Sequence, residues 1–140
     1  MSFIGSIRIK LDRFPLGKQL IKFSIVGGTA AAINFLVYVS LTHLAYMWYV
    51  YASVWAFLIS AVFNFNANKF WTFRNKQKGR EVLHQLRRYG VVMVSGLAIN
   101  TIFIYTLTEW GGLNNKLSWV FATGAVMLWN FNFNRLWTFK

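Results

Sequence analysis

Residues 23–42 of this chain contain no charged side chain, and residues 43–68 contain no Lys, Arg, Asp or Glu. Residues 89–108 and 117–134 are equally free of charge. A bilayer core about 30 Å thick is crossed by about 20 residues of helix rising 1.5 Å each. The spacing therefore predicts membrane spans near residues 22–43, 48–68, 89–108 and 117–136. Composition points the same way, with 56% hydrophobic and 13% charged residues, against roughly 45–50% and 25% in a soluble domain. A soluble fold would lack the polar groups to cover so much apolar surface. The hydrophobicity excludes disorder, and the absence of cysteine excludes a disulfide scaffold. The first span is too long and too late for a secretory signal and lacks a cleavage pattern, so no removed leader is expected.

The charges are lopsided: 15 Lys and Arg oppose 3 Asp and Glu, a net of +12. In a soluble protein such an excess points to nucleic acid. Here the cations sort by loop instead. Arg8, Lys10, Arg13, Lys18 and Lys22 precede the first span. Lys69, Arg74, Lys76, Lys78, Arg80, Arg87 and Arg88 lie between the second and third, and Arg135 and Lys140 follow the fourth. The two short remaining connections hold only Lys116. The positive-inside rule then places both termini and the middle loop in the cytoplasm. The expectation is a multi-pass protein of the cytoplasmic membrane with no nucleic-acid partner. Ahead of the first span, Phe3, Ile4, Ile7, Leu11 and Phe14 recur at helical spacing among Arg8 and Arg13. They read as a short amphipathic helix on the inner surface, ended near Pro15, or as a frayed basic tail. Residues 74–80 read as a solvated, flexible loop, and residues 81–88 as helix running into the third span.

The chain also repeats itself at an offset of 66 residues without a gap. Residues 19–74 and 85–140 share 17 identities over 56 positions. The clearest block is Asn-Phe-Asn-x-Asn-basic-x-Trp-Thr-Phe, present at 64–73 and again at 130–139. Internal repeats mark many transporter folds. Each unit holds two spans, so both enter the membrane the same way, related by an axis along its normal. The expected fold is an all-α membrane protein: four transmembrane helices as two parallel two-helix repeats, plus the N-terminal amphipathic helix. The expected segments are 1–18 (cytoplasmic amphipathic), 19–74 (first repeat), 75–84 (basic linker) and 85–140 (second repeat).

Polar residues inside apolar spans must find partners, because an unpaired amide in hydrocarbon costs several kcal/mol. Asn34 and Asn100 sit near the middle of the first and third spans. They read either as interhelical glue or as the polar lining of a path for a head group. Small residues recur every fourth position at Ser24, Gly28 and Ala32, and at Ala52, Ala56 and Ser60 continuing to Asn64 and Asn68. Such stripes serve close helix packing. Asn64 and Asn68 share one helix side, as do Asn130 and Asn134, whereas Asn66 and Asn132 point nearly opposite. Each block ends in a cation, Lys69 or Arg135, and then Trp71 or Trp137. Interfacial anchoring explains a cation and a Trp; amides beside a cation also suit a phosphate or a sugar. Lys22 and Arg88 open the odd spans at the same level. Lys22, Lys69, Arg88 and Arg135 would together form a basic collar for an anionic lipid head, or snorkel singly to the interface. His43 and Glu109 occupy equivalent outer positions, as solvated end residues or as contacts for a sugar hydroxyl.

No acid lies inside any span, which weighs against a proton-driven small-molecule exporter, whose relay is a membrane carboxylate. Two histidines and no cysteine make a metal centre unexpected. No paired carboxylates, nucleophile–base pair or Gly-rich phosphate loop stands out. No enzymatic step, catalytic residue or cofactor is expected.

The basic-Phe-x-x-x-Gly opening at Lys22, Phe23 and Gly27, its partner at Arg88 and Tyr89, and the doubled endings at 64–73 and 130–139 resemble the GtrA-like family of small membrane proteins. The resemblance covers residues 19–140. The second copy departs from it, with Tyr89 for Phe and Met93 where the first has Gly27. It implies a role in cell-surface polysaccharide or lipopolysaccharide synthesis. Its members are associated with moving polyprenyl-phosphate-linked monosaccharides, such as glucose on undecaprenyl phosphate, across the cytoplasmic membrane to an outer glycosyltransferase. On that basis Lys22, Lys69, Arg88 and Arg135 would hold the phosphate. Asn34, Asn64, Asn68, Asn100, Asn130 and Asn134 would serve the sugar, and a groove or a homo-oligomer would supply the path. The rival expectation is a non-transporting adaptor that anchors a glycosyltransferase through the N-terminal helix and the loop 74–88. Neutralising Arg74, Lys76, Lys78 and Arg80 would abolish the adaptor and spare the translocator.

Overall fold

The computed structural model describes residues 15–140. The amphipathic helix expected over residues 3–14 lies outside them. The described residues form four α-helices and no strand: α1 (Pro15–His43), α2 (Tyr49–Ala67), α3 (Arg80–Tyr105) and α4 (Asn115–Phe133). The last three each continue into a five-residue π-helical turn: Asn68–Thr72 after α2, Thr106–Trp110 after α3 and Asn134–Thr138 after α4. The chain divides between Arg74 and Asn75 into two compact units. The first contains α1 and α2, the second α3 and α4.

In the first unit α1 opens on Pro15, a position where the missing N–H costs nothing and the fixed φ suits the helix. It begins eight residues before the charge-free stretch. After His43 the chain reverses through Tyr46, whose φ of 50° is left-handed, and the Met47 N–H closes the turn on the Leu41 carbonyl at 2.9 Å. The α1 face that packs carries Val26 and Ala30; the α2 face carries Ala52, Ala56 and Ser60. The α2 stripe is thus the packing surface expected of it. The α1 stripe is not, because Ser24, Gly28 and Ala32 are all exposed. Two helices meet along one seam only, and the seam on α1 is set by Val26 and Ala30.

The second unit is built alike. The Leu113 N–H closes its turn on the Leu107 carbonyl at 3.1 Å, and Gly112, at φ 63°, stands where the first unit has Tyr46. Val92 and Gly96 of α3 face Ser118 and Ala122 of α4. Gly96 is a close approach: a Cβ there would sit 2.7 Å from Asn130 Oδ1. The helix expected over residues 81–88 is present as the first turns of α3. The loop 74–80 is not wholly solvated, since Asn75 is half-buried and bonded to the body of its unit.

Three helical segments, Pro15–His43, Tyr49–Thr72 and Arg80–Trp110, are long and apolar enough to cross a membrane. Helix α4, rich in Asn and Trp, is not among them although its α-helical part is as long as that of α2. Large side chains such as Phe35, Leu36, Val62, Val94, Leu97 and Phe121 lie exposed along the outer helix faces, the pattern of helices surrounded by lipid.

Candidate functional site

The basic end of each unit is where α1 or α3 begins and where α2 or α4 finishes in its π turn. In the first unit, Lys22 reaches across to α2's end. Its Nζ donates to the Trp71 carbonyl at 3.2 Å and lies 5.1 Å from the Trp71 ring centre. In the second unit, Arg88 Nη1 donates to the Trp137 carbonyl at 3.0 Å, with the guanidinium carbon 5.9 Å from the Trp137 ring centre. A cation over an indole face is held by the ring quadrupole. These two clamps stand sixty-six residues apart at both partners. The other expected cations differ from them. Lys69 is only 1% exposed, with its Nζ 5.7 Å from the Phe70 ring centre, and Arg135 is half-buried.

The π turns bear on the asparagines. A turn wider than 3.6 residues brings positions four apart closer to one line along the helix. In the first unit this yields a closed ladder: the Thr72 hydroxyl donates to Asn68 Oδ1 at 2.9 Å, and Asn68 Nδ2 donates to Asn64 Oδ1. In the second unit the same residue types at the same spacing stay apart. Asn130 Oδ1, Asn134 Oδ1 and Thr138 Oγ1 are buried with no hydrogen-bond partner. Asn134 and Thr138 are at most 2% exposed. Asn66 and Asn132 face outward, as their spacing predicts, each donating to the carbonyl four residues back, Val62 and Leu128, at 2.8 Å.

Mid-span, Asn34 Nδ2 donates to Ser60 Oγ at 3.3 Å, joining α1 to α2. Asn100 has no equivalent bond, because the position matching Ser60 is Val126. His43 and Glu109 are exposed at the far ends of α1 and α3.

Beside the Arg88–Trp137 clamp runs an apolar groove of about 540 Å³. Val91, Ser95, Trp129, Phe133, Leu136 and Trp137 form most of its wall. The Trp129 indole N–H is satisfied, as Nε1 donates to Ser95 Oγ at 3.0 Å, and the Trp129 and Phe133 rings lie 4.1 Å apart. The volume falls within the range of small-molecule sites, about 300–1,000 Å³. An apolar groove with a guanidinium over one of its wall tryptophans suits an apolar chain with an anionic head. Sequence reasoning named the clamp's cation but not the groove, whose wall residues look in sequence like ordinary span residues.

A second cavity of about 170 Å³ lies at the basic end of the first unit, bounded by Lys18, Gln19, Lys22, Thr72 and Arg74. Lys18, Gln19 and Arg74 were not among the expected site residues. The one hint to them was the repeat of Gln19-Leu20 as Gln85-Leu86.

A family model described as GtrA/DPMS, transmembrane domain, matches residues 22–139. Among curated proteins none matches the chain.

Proposed function

The chain belongs to the GtrA/DPMS transmembrane-domain family, and from that premise we propose that it translocates a polyprenyl-phosphate-linked monosaccharide across the cytoplasmic membrane, without an enzymatic step, for cell-surface polysaccharide synthesis. In this reading all four helices cross the membrane, both termini are cytoplasmic, and the two repeats enter it in the same direction. A membrane glycosyltransferase on the outer side uses the delivered sugar, and a homo-oligomer widens the path. The observation that carries the reading is the second unit's groove. An apolar cleft of about 540 Å³ ends at a tryptophan clamped by Arg88, which matches a molecule with a hydrocarbon tail and one phosphate. The unpartnered acceptors Asn130 Oδ1 and Asn134 Oδ1 suit the hydroxyl donors of a sugar, because a buried carbonyl oxygen without a donor is costly.

Proteoliposomes containing the purified protein and a labelled polyprenyl-phosphate-sugar test this. Protein-containing vesicles are expected to move the sugar to the opposite leaflet. The variant Val91→Trp, which fills the groove from an exposed position, is expected to slow movement at least tenfold. A sugar that stays on its original leaflet with and without protein removes the reading.

A further inference from the structure

In the second unit the space between the start of α3 and the end of α4 is filled by the chain itself. Asn75 Nδ2 donates to the Phe139 carbonyl at 3.1 Å. Its Oδ1 accepts from Gln85 Nε2 at 3.0 Å and from the Gln77 N–H at 3.1 Å, while Gln85 Nε2 also donates to Gln77 Oε1 at 2.7 Å. Gln85 is 1% exposed as a result. Sixty-six residues earlier, the corresponding walls are Gln19 and Phe73, and between them lies the cavity of about 170 Å³. Among the described residues its lining holds Lys18, Lys22 and Arg74 and no acid. One donor of the Lys22 ammonium is used on the Trp71 carbonyl; an ammonium has three. Arg74 is held at φ 51°, a left-handed backbone that a non-glycine residue keeps only where its surroundings fix it. Ile21 and Ile25, exposed beside Lys18 and Lys22 on the same helix face, lead from the cavity toward the charge-free part of α1.

We propose that this first-unit pocket seats a phosphate group, carried by a lipid whose tail runs along Ile21 and Ile25. A phosphate offers several acceptor oxygens at once to an ammonium pair and a guanidinium. Its charge relieves the repulsion among three cations brought to one small cavity. The pocket lies at the place in the first repeat that matches the second unit's amide plug. The assignment rests on the translocation reading only for which phosphate lipid is physiological. It also takes Arg74 out of the set that would test an adaptor surface, leaving Lys76, Lys78 and Arg80 for that purpose.

The test is equilibrium binding to the full chain in maltoside micelles, which carry no phosphate, with inorganic phosphate, phosphatidylglycerol and a polyprenyl phosphate as separate probes. Measured with the second unit's groove filled by Val91→Trp, the combined variant Lys18→Gln, Arg74→Gln is expected to bind the phosphate lipids at least tenfold more weakly than the protein with Val91→Trp alone. The conservative pair Lys18→Arg, Arg74→Lys is expected to retain binding. Lys76→Gln with Lys78→Gln, an equal loss of charge outside the pocket, is expected to change nothing. Inorganic phosphate that competes fully identifies a free-ion site, and inorganic phosphate that fails to compete identifies the lipid. Melting curves confirm that each variant is folded. Unchanged binding in the Lys18→Gln, Arg74→Gln protein, or an equal loss in the Lys76, Lys78 control, overturns the proposal. The proteoliposome assay is read separately. Pocket-dependent binding by a wild-type protein that moves no sugar retains the pocket and removes translocation. Translocation by a protein whose binding ignores Lys18 and Arg74 does the reverse.

Discussion

Asn34 and Asn100 are the same residue at the same depth of two matching helices, and their neighbours separate them. Asn34 spends its amide on Ser60 at 3.3 Å. Asn100 faces a unit in which Val126 has replaced that hydroxyl. An interhelical hydrogen bond of this kind contributes about 0.6 kcal/mol, whereas an unpaired amide in an apolar setting costs about 1–3 kcal/mol by mutational measures. Asn34→Leu should therefore lower the melting temperature slightly, and Asn100→Leu should leave it unchanged or raise it. If Asn100 lines the path of the head group, the same Asn100→Leu variant should lose translocation while gaining stability. Parallel losses of stability in the two variants would reject the distinction. The asparagine ladders carry a related lesson. Their four-residue spacing is visible in sequence, yet only in the folded chain do Asn64, Asn68 and Thr72 close on one another while Asn130 and Asn134 do not. Identical letters leave rotamers undetermined, and rotamers decide which copy has polar capacity to offer a ligand.

The elements differ from their sequence outline chiefly at their ends. Charge-free windows locate the centres of the helices well, because apolar length is what a bilayer demands. They cut α1 short, since it begins at Pro15 among charged residues, whereas the first turns of α3 are legible apart from them as the helix over 81–88. The turns ahead of the charge-free windows carry Gln19, which lines the cavity with Thr72, and Gln85, which bonds the linker; hydropathy reports neither. The π turns are equally silent in sequence. The exposed Ser24, Gly28 and Ala32 face shows that a small-residue stripe signals packing capacity without naming its seam, whereas the identity of Val26 and Val92 across the repeat does mark it. The linker is the element where the difference has a measurable consequence. Gln85 holds it through two amide bonds, each contributing about 0.5–1.5 kcal/mol net. Gln85→Leu should therefore raise the open population of residues 75–80 about tenfold. Trypsin should then cut at Lys76, Lys78 and Arg80 correspondingly faster in that variant. Gln77→Ala, which breaks one side-chain bond, should fall between it and wild type. Equal cleavage rates in all three proteins would show that the plug does not restrain the linker.

Over the whole molecule, orientation depends on charge and insertion depends on apolarity, and the two are not equally secure in every helix. Three segments have the length and apolarity to cross unaided. Helix α4 gives up hydropathy to Asn130, Asn132 and Asn134. In the proposed topology α4 is a marginal span, and what flanks it would hold it in place: Arg135 and Lys140 on one side against Lys116 on the other. Cations retained in the cytoplasm set the direction of a span, and packing of Ser118 and Ala122 on α3 adds the rest. Reporter fusions make the balance visible. Fusions near residues 45 and 113 are expected outside, and fusions near residue 77 and after Lys140 in the cytoplasm. Replacing Arg135 and Lys140 by Gln removes the cations that favour the inner side, while Lys116 still opposes translocation of the preceding loop. The C-terminal reporter should then divide between the two sides, while the fusions at 45 and 77 keep theirs. A C-terminal reporter found outside in the wild type would mean that α4 does not cross. A cytoplasmic reporter indifferent to both substitutions would mean that helix packing, and not charge, fixes α4.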